Sequence, residues 1–129
     1  MTDLDRTCIL IAEDNVLIRN LISTILSNEG HLVLAAANSG EALELSRTFT
    51  GEIRLLIAKS SELAETIARE RPAMRVVLLS PSTCSTLKEV VRKVNPEAFL
   101  RQGAFPSKLS ESIHRALTDP EFGSAFVEV

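Results

Sequence analysis

The chain has 129 residues, 45% of them hydrophobic and 24% charged, and a formal net charge of -3. That length suits one domain with a single sizeable core and is too short for two. The acidic balance excludes a general nucleic-acid surface, which needs a basic excess to release counterions from phosphate. No apolar run is long enough to cross a bilayer, so the composition also excludes a membrane span.

Short apolar runs alternate with stretches of helical spacing, the pattern of repeated βα units. The runs fall at residues 7–12, 32–37, 54–58, 75–80 and 97–101. Rich in Val, Ile or Leu and lacking strict alternation, they read as strands buried on both faces of a parallel sheet. After the first run, Leu17, Ile18, Leu21, Ile22, Ile25 and Leu26 recur at intervals of three and four, with Arg19, Asn20, Ser23 and Thr24 opposite. This predicts an amphipathic helix that ends near Gly30. Asn38-Ser39-Gly40-Glu41 offers a capping box ahead of Ala42, Leu43 and Leu45. Ser60 and Ser61 follow the third run and read as the start of the third helix. Leu87, Val90, Val91 and Val94 form the stripe of the fourth, and Ser107 can cap a fifth whose Leu109, Ile113, Ala116 and Leu117 face the core.

Past Asp119-Pro120 the helical pattern breaks. The remaining stretch is more apolar than a disordered linker, with two of the five phenylalanines, Phe122 and Phe126. Three placements are open to it: folded back on the domain, paired with a neighbouring chain, or leading into an output domain. Cys8 lies in an apolar strand and Cys84 in a Ser/Thr-rich turn, with no metal spacing between them and no secretory leader ahead of the first strand, so a reducing cytoplasm is the expected compartment. His31 opens a strand and His114 falls on a helix surface near Glu111, and neither has metal-ligand neighbours in sequence.

Parallel strands joined by right-handed crossovers gather ligands outside their carboxyl ends. The residues at those ends are therefore the candidate site: Glu13 and Asp14 after the first strand, Lys59 after the third, Ser80 after the fourth and Gln102 after the fifth. This order, an acidic pair and then single polar residues on successive strand ends, resembles the receiver domain of bacterial two-component response regulators over roughly residues 7–118, leaving 119–129 as a C-terminal tail. The resemblance implies a flavodoxin-like (βα)5 fold, a doubly wound five-stranded parallel sheet in the order 2-1-3-4-5. It also implies that Glu13 and Asp14 match the family's magnesium-binding pair, that Ser80 matches the Ser or Thr bonded to the phosphoryl group, and that Phe99 matches the aromatic switch residue. Two positions depart. Lys59 stands in place of the phospho-accepting aspartate, and Gln102-Gly103 replaces the Lys-Pro pair after the fifth strand. The Met-Pro-Gly-containing turn that usually follows the aspartate is also missing, so the segment from Lys59 to Pro72 is short.

Charge counting ties these departures together. The family's pocket holds three carboxylates and one lysine, which a divalent cation neutralises, whereas this pocket holds two carboxylates and one lysine. A Mg²⁺ about 4 Å from an ammonium would be repelled by roughly 8 kcal/mol at an effective dielectric of 20. Phosphoryl transfer needs a nucleophilic oxygen beside that metal, which a protonated amine does not supply. The expectation is no cofactor, Mg²⁺ binding lost or weak, no aspartyl phosphate and no enzymatic activity. Lys59 then has two placements: an internal ion pair with Glu13 or Asp14, which the charge balance favours, or a stem that snorkels to solvent. The trans form is expected at Gln102-Gly103, because a non-proline cis bond costs about 2.5 to 4 kcal/mol.

The expected function is an atypical receiver in two-component or phosphorelay signal transduction, working as a phosphorylation-independent protein interaction module. The competing reading is an active phosphoacceptor with a non-standard nucleophile such as Ser60. The expected partner is a protein, whether a histidine kinase, an output domain, another signalling protein or a second copy of the chain. It would dock on the face of the fourth helix, fifth strand and fifth helix, where Lys88, Arg92, Lys93, Lys108 and Arg115 make a basic edge; nucleic acid and membrane are not expected. A flavin-binding domain of similar topology is set aside, because Glu13-Asp14-Asn15-Val16 puts carboxylates where a phosphate loop is required.

Overall fold

The computed structural model describes residues 7–93, 107–118 and 126–128. Its strands are β1 (Cys8–Ala12), β2 (Leu32–Ala36), β3 (Leu55–Ala58), β4 (Arg75–Leu78) and β5 (Phe126–Glu128). Its helices are α1 (Val16–Asn28), α2 (Ser39–Thr48), α3 (Ser61–Glu70), α4 (Pro81–Lys93) and α5 (Ser107–Thr118). Every strand pair is parallel and the order is β2-β1-β3-β4-β5. The expected 2-1-3-4-5 sheet is therefore present.

The source of its last strand is not the expected one. The run 97–101 lies outside the described residues, and beside β4 the sheet carries Phe126–Glu128, with Val76 opposite Phe126 and Leu78 opposite Glu128. Of the C-terminal stretch, Phe126–Glu128 pairs within the sheet of this same domain. In sequence β5 follows α5 instead of preceding it.

Strand residues alternate between two cores, as a period of two requires. Ile9, Ile11, Leu55, Ile57 and Val77 face a core shared with Ile18, Leu21, Ile22 and Ile25 of α1, Leu87 of α4 and Leu109 and Ile113 of α5. Cys8, Leu10, Leu56 and Val76 face the other, with Ala42 of α2 and Leu63, Ala64 and Ile67 of α3. β1 and β3 are buried at every residue, which is why they read as unbroken apolar runs. Two details differ from the sequence reading. Leu17, expected on the core stripe of α1, is 51% exposed beside Val16 at 52%, because the first turn of the helix stands next to the loop leaving β1. Cys84, expected in a turn, lies within α4, which Ser80 and Pro81 start earlier than its apolar stripe suggested.

Helix ends fix where the loops begin. Asn15 caps α1, its Oδ1 accepting from the Leu17 and Ile18 amides at 3.0 and 3.1 Å. At the other end Gly30 takes φ +94°, while its N–H reaches Ser27 O at 3.0 Å and that of His31 reaches Leu26 O at 3.1 Å. These two bonds close a Schellman motif, and the left-handed residue it needs is the glycine. Asn38 caps α2 by accepting from Glu41 N at 2.9 Å, and the Glu41 carboxylate returns to Ala37 N at 2.9 Å. Arg71, at the end of α3, donates to the Ser46, Phe49 and Gly51 carbonyls at 2.7, 2.8 and 3.0 Å, tying the C-terminal end of α2 to α3. Among the described residues no helix is long and apolar enough to cross a membrane.

Candidate functional site

The carboxyl ends of β1 and β3 lie side by side, Ile11 opposite Ile57, so the residues that follow each strand meet above the sheet. Glu13 extends the pairing with β2 by one bond, its N–H on Ala36 O at 3.0 Å, before the chain turns into α1. That bond and the close of the core hold its side chain 1% exposed, while the next residue, Asp14, points outward with its side chain 71% exposed. From β3, the Lys59 ammonium pairs with Asp14 Oδ1 and lies 3.4 Å from Glu13 Oε2. The lysine is thus in an ion pair with both members of the acidic pair, and not simply solvated.

Each group's ionisation follows from its surroundings. Burial pushes the Glu13 carboxyl above its usual value, opposed by the Asn15 N–H that its Oε2 accepts at 2.8 Å and by the Lys59 charge. The hydrogen bond from Lys59 holds Asp14 well below the usual range, at about 2. The same bond raises Lys59, against a smaller opposing effect of burial. One oxygen, Glu13 Oε1, is buried without a hydrogen-bond partner.

A second cation reaches this turn. Arg19 Nη1 donates to the Glu13 carbonyl at 2.9 Å. The helical spacing had placed Arg19 on the solvent side of α1; instead its long side chain reaches back over the first turn. The two carboxylates thus pair with Lys59, while Arg19 holds the backbone of the turn that carries them. Asn15 and Arg19 were both missed from sequence, although an Asn immediately before an apolar periodic stretch is an N-cap signal.

Ser80 and Ser60 are both occupied as helix caps. Ser80 Oγ accepts from Thr83 N at 3.2 Å and lies 3.2 Å from Thr83 Oγ1. Ser60 Oγ accepts from Leu63 N at 3.2 Å, as its reading as a cap required. α3 starts at Ser61, two residues beyond Lys59, and a cavity of about 220 Å³ beside this connection is lined by Ala12, Asp14, Ala37, Lys59, Ser60 and Leu63 among others. Ser80 is not part of that lining. Phe99 and Gln102 lie outside the described residues, as does the Gln102-Gly103 bond. On α4, Lys88, Arg92 and Lys93 are exposed, and Arg92 pairs with Glu89 at 2.9 Å; Arg115 and His114 are exposed on α5.

No family model matches the chain, and no curated protein is significantly similar to it in sequence. Solved structures are similar. A response regulator receiver domain protein (CheY-like) from Methanospirillum hungatei is 23% identical with a TM-score of 0.55, covering 85% of this chain and 95% of that one. The response regulator TrrA from Thermotoga maritima, solved in complex with Mg²⁺-BeF, is 24% identical with a TM-score of 0.57, covering 86% of this chain and 99% of its own. The fold is that of a response regulator receiver domain. A complex of the histidine kinase ThkA with TrrA, also from Thermotoga maritima, is 28% identical with a TM-score of 0.50, covering 58% of this chain and 69% of that one. On the receiver fold the ion pair of Glu13, Asp14 and Lys59 occupies the carboxyl ends of the first and third strands, where the sequence resemblance placed the acidic pocket.

The residues present do not fit a magnesium ion. Mg²⁺ demands nearly octahedral hard oxygen ligands. Here the Lys59 ammonium already lies against both candidate carboxylates, and the third strand end supplies no oxygen from its side chain.

Proposed function

We propose that this chain is a degenerate receiver in two-component or phosphorelay signalling, acting as a phosphorylation-independent protein interaction module and not as an enzyme. The observation that carries this reading is the position of Lys59, whose ammonium stands against Glu13 and Asp14 at the strand ends. It takes the place of the nucleophile and neutralises the charge a divalent cation would otherwise neutralise. With an ammonium instead of a carboxylate at the third strand end, paired with both acidic residues, the site offers neither an attacking oxygen from that strand end nor free carboxylates to hold an electrophilic clamp for the phosphoryl group.

The alternative nucleophile, Ser60, is disfavoured because its Oγ is engaged by the Leu63 amide and, among the described residues, its hydrogen bond is to that backbone donor and not to a base. A phosphoacceptor serine would have to leave its cap. What remains for signalling is surface, and the α4, β5 and α5 side, with exposed Lys88, Lys93 and Arg115, is the proposed partner face. The likeness to a complex containing a histidine kinase and its regulator supports a signalling protein as that partner.

Incubation with acetyl phosphate and Mg²⁺ followed by intact-mass measurement tests this. The expected result is an unchanged mass. Addition of one phosphoryl group, mapped to Ser60 or elsewhere, would replace this reading with the active phosphoacceptor.

A further inference from the structure

The cavity of about 220 Å³ beside Lys59 has a composition that the ion pair does not explain. Ala12, Ala37, Ala58 and Leu63 give it apolar walls, yet groups of both charges reach it. Glu13 lines it with a side chain only 1% exposed, and Glu13 Oε1 is buried without a hydrogen-bond partner among the described residues. An acceptor left bare in such surroundings is costly, so the site calls for a donor that the described side chains do not supply. Asp14, whose side chain is exposed, adds a second carboxylate to the lining. The opposite chemistry comes from α2 and α3, which both begin at this cavity through Asn38, Ser39 and Ser60. Each cap oxygen takes an amide three residues on, Glu41 N at 2.9 Å and Leu63 N at 3.2 Å. The earlier amides of both first turns are left for an outside acceptor. The Ser39 hydroxyl and the third N–H of the Lys59 ammonium are further donors.

We propose that this cavity binds a small zwitterion, an aliphatic amino acid, whose ammonium donates to Glu13 and Asp14 while the first turns of α2 and α3 hold its carboxylate. A cation alone would leave the helix ends unmatched and be repelled by Lys59. An anion alone would leave Glu13 Oε1 bare and face Asp14. A ligand with both charges meets each group with its opposite, and a short alkyl side chain covers the apolar walls. The size agrees, since pockets for drug-sized ligands run to roughly 300 to 1,000 Å³. Such a site goes beyond the interaction module proposed above and does not depend on whether the chain accepts a phosphoryl group.

NMR titration of the full chain with L-alanine tests this, with acetate and methylammonium as probes that carry one charge each. Saturable shifts are expected at the amides of Ala37, Ser39, Ser60 and Leu63 with L-alanine, and binding of either single-charge probe is expected to be roughly tenfold weaker or worse. Two variants locate the site. Ala37→Leu fills the cavity from a half-buried loop position, and Glu13→Gln keeps the side-chain shape while replacing the carboxylate. Each is expected to weaken L-alanine binding roughly tenfold or more in a chain whose spectrum is otherwise folded. Absence of a saturable shift with L-alanine would overturn the proposal, as would equal affinity for acetate or methylammonium. Undiminished binding in either variant would overturn it too, and if Glu13→Gln does not fold, Ala37→Leu alone decides. No phosphoryl donor or metal enters this titration, so it and the mass measurement fail independently.

Discussion

Lys59 illustrates how a charge substitution changes what its neighbours require. Glu13 is buried, and its charge is tolerable only because an ammonium and an amide face it. Replacing Lys59 by alanine removes the cation and leaves a buried carboxyl that must take a proton or stay uncompensated, a loss of about 1 to 3 kcal/mol after allowing for the partial exposure of the pair. A fall in Tm of roughly 5 to 10 °C is expected, measured by thermal unfolding; an unchanged Tm would mean that the lysine is only solvated. The acid dependence has two opposing parts. Asp14 is depressed in the folded state, to about 2, so its stabilisation is complete above its ordinary value of 3.8 and disappears as pH falls between the two. Glu13 is raised, so protonating it favours the folded state as pH falls through its folded value toward 4.5. Asp14→Asn should therefore reduce the loss of stability between about pH 4 and pH 2, as measured by denaturant unfolding across that range, leaving the part due to Glu70, whose carboxyl the Arg47 hydrogen bond also holds down. Lys59 is raised as well, so its contribution persists at neutral pH and is lost only above its ordinary value of 10.5.

Helix and strand boundaries were legible to different degrees, for local reasons. The Asn38 box, the Ser60 cap and the Gly30 stop are signals written within a few residues, and each appears where the sequence placed it. Gly30→Ala should cost about 1 kcal/mol in chemical denaturation: a Cβ there meets no atom within 4 Å, so only the positive φ resists it. Asn38→Ala should cost a similar amount through its lost cap, without changing the midpoint of any site titration. What sequence did not disclose depends on reach and competition. Arg19 looked solvent-facing because helical spacing positions a Cβ, whereas a guanidinium several bonds away is positioned by its acceptor, the Glu13 carbonyl. Likewise the pairing of Phe126–Glu128 with β4 was not legible, because a short apolar stretch carries no local signal for which strand edge it joins.

For the molecule as a whole, the βα repeat and a sheet covered on both faces were readable from the spacing of apolar residues, because strands buried on both faces must be continuous apolar runs, whereas the strand order came from the resemblance to receiver domains. The meeting of Glu13, Asp14 and Lys59 was legible too, since strand order alone brings the ends of β1 and β3 together. The proposed degenerate receiver turns on Lys59 standing where a divalent cation would otherwise neutralise Glu13 and Asp14. The most direct measurement is an NMR titration of the full chain with Mg²⁺ at neutral pH, following the amides of Glu13, Asp14 and Lys59. No saturable shift at these three residues is expected, with Lys59→Asp regaining one. A saturable, localised shift in the unaltered chain would mean that the ion still binds beside the lysine, contradicting the claim.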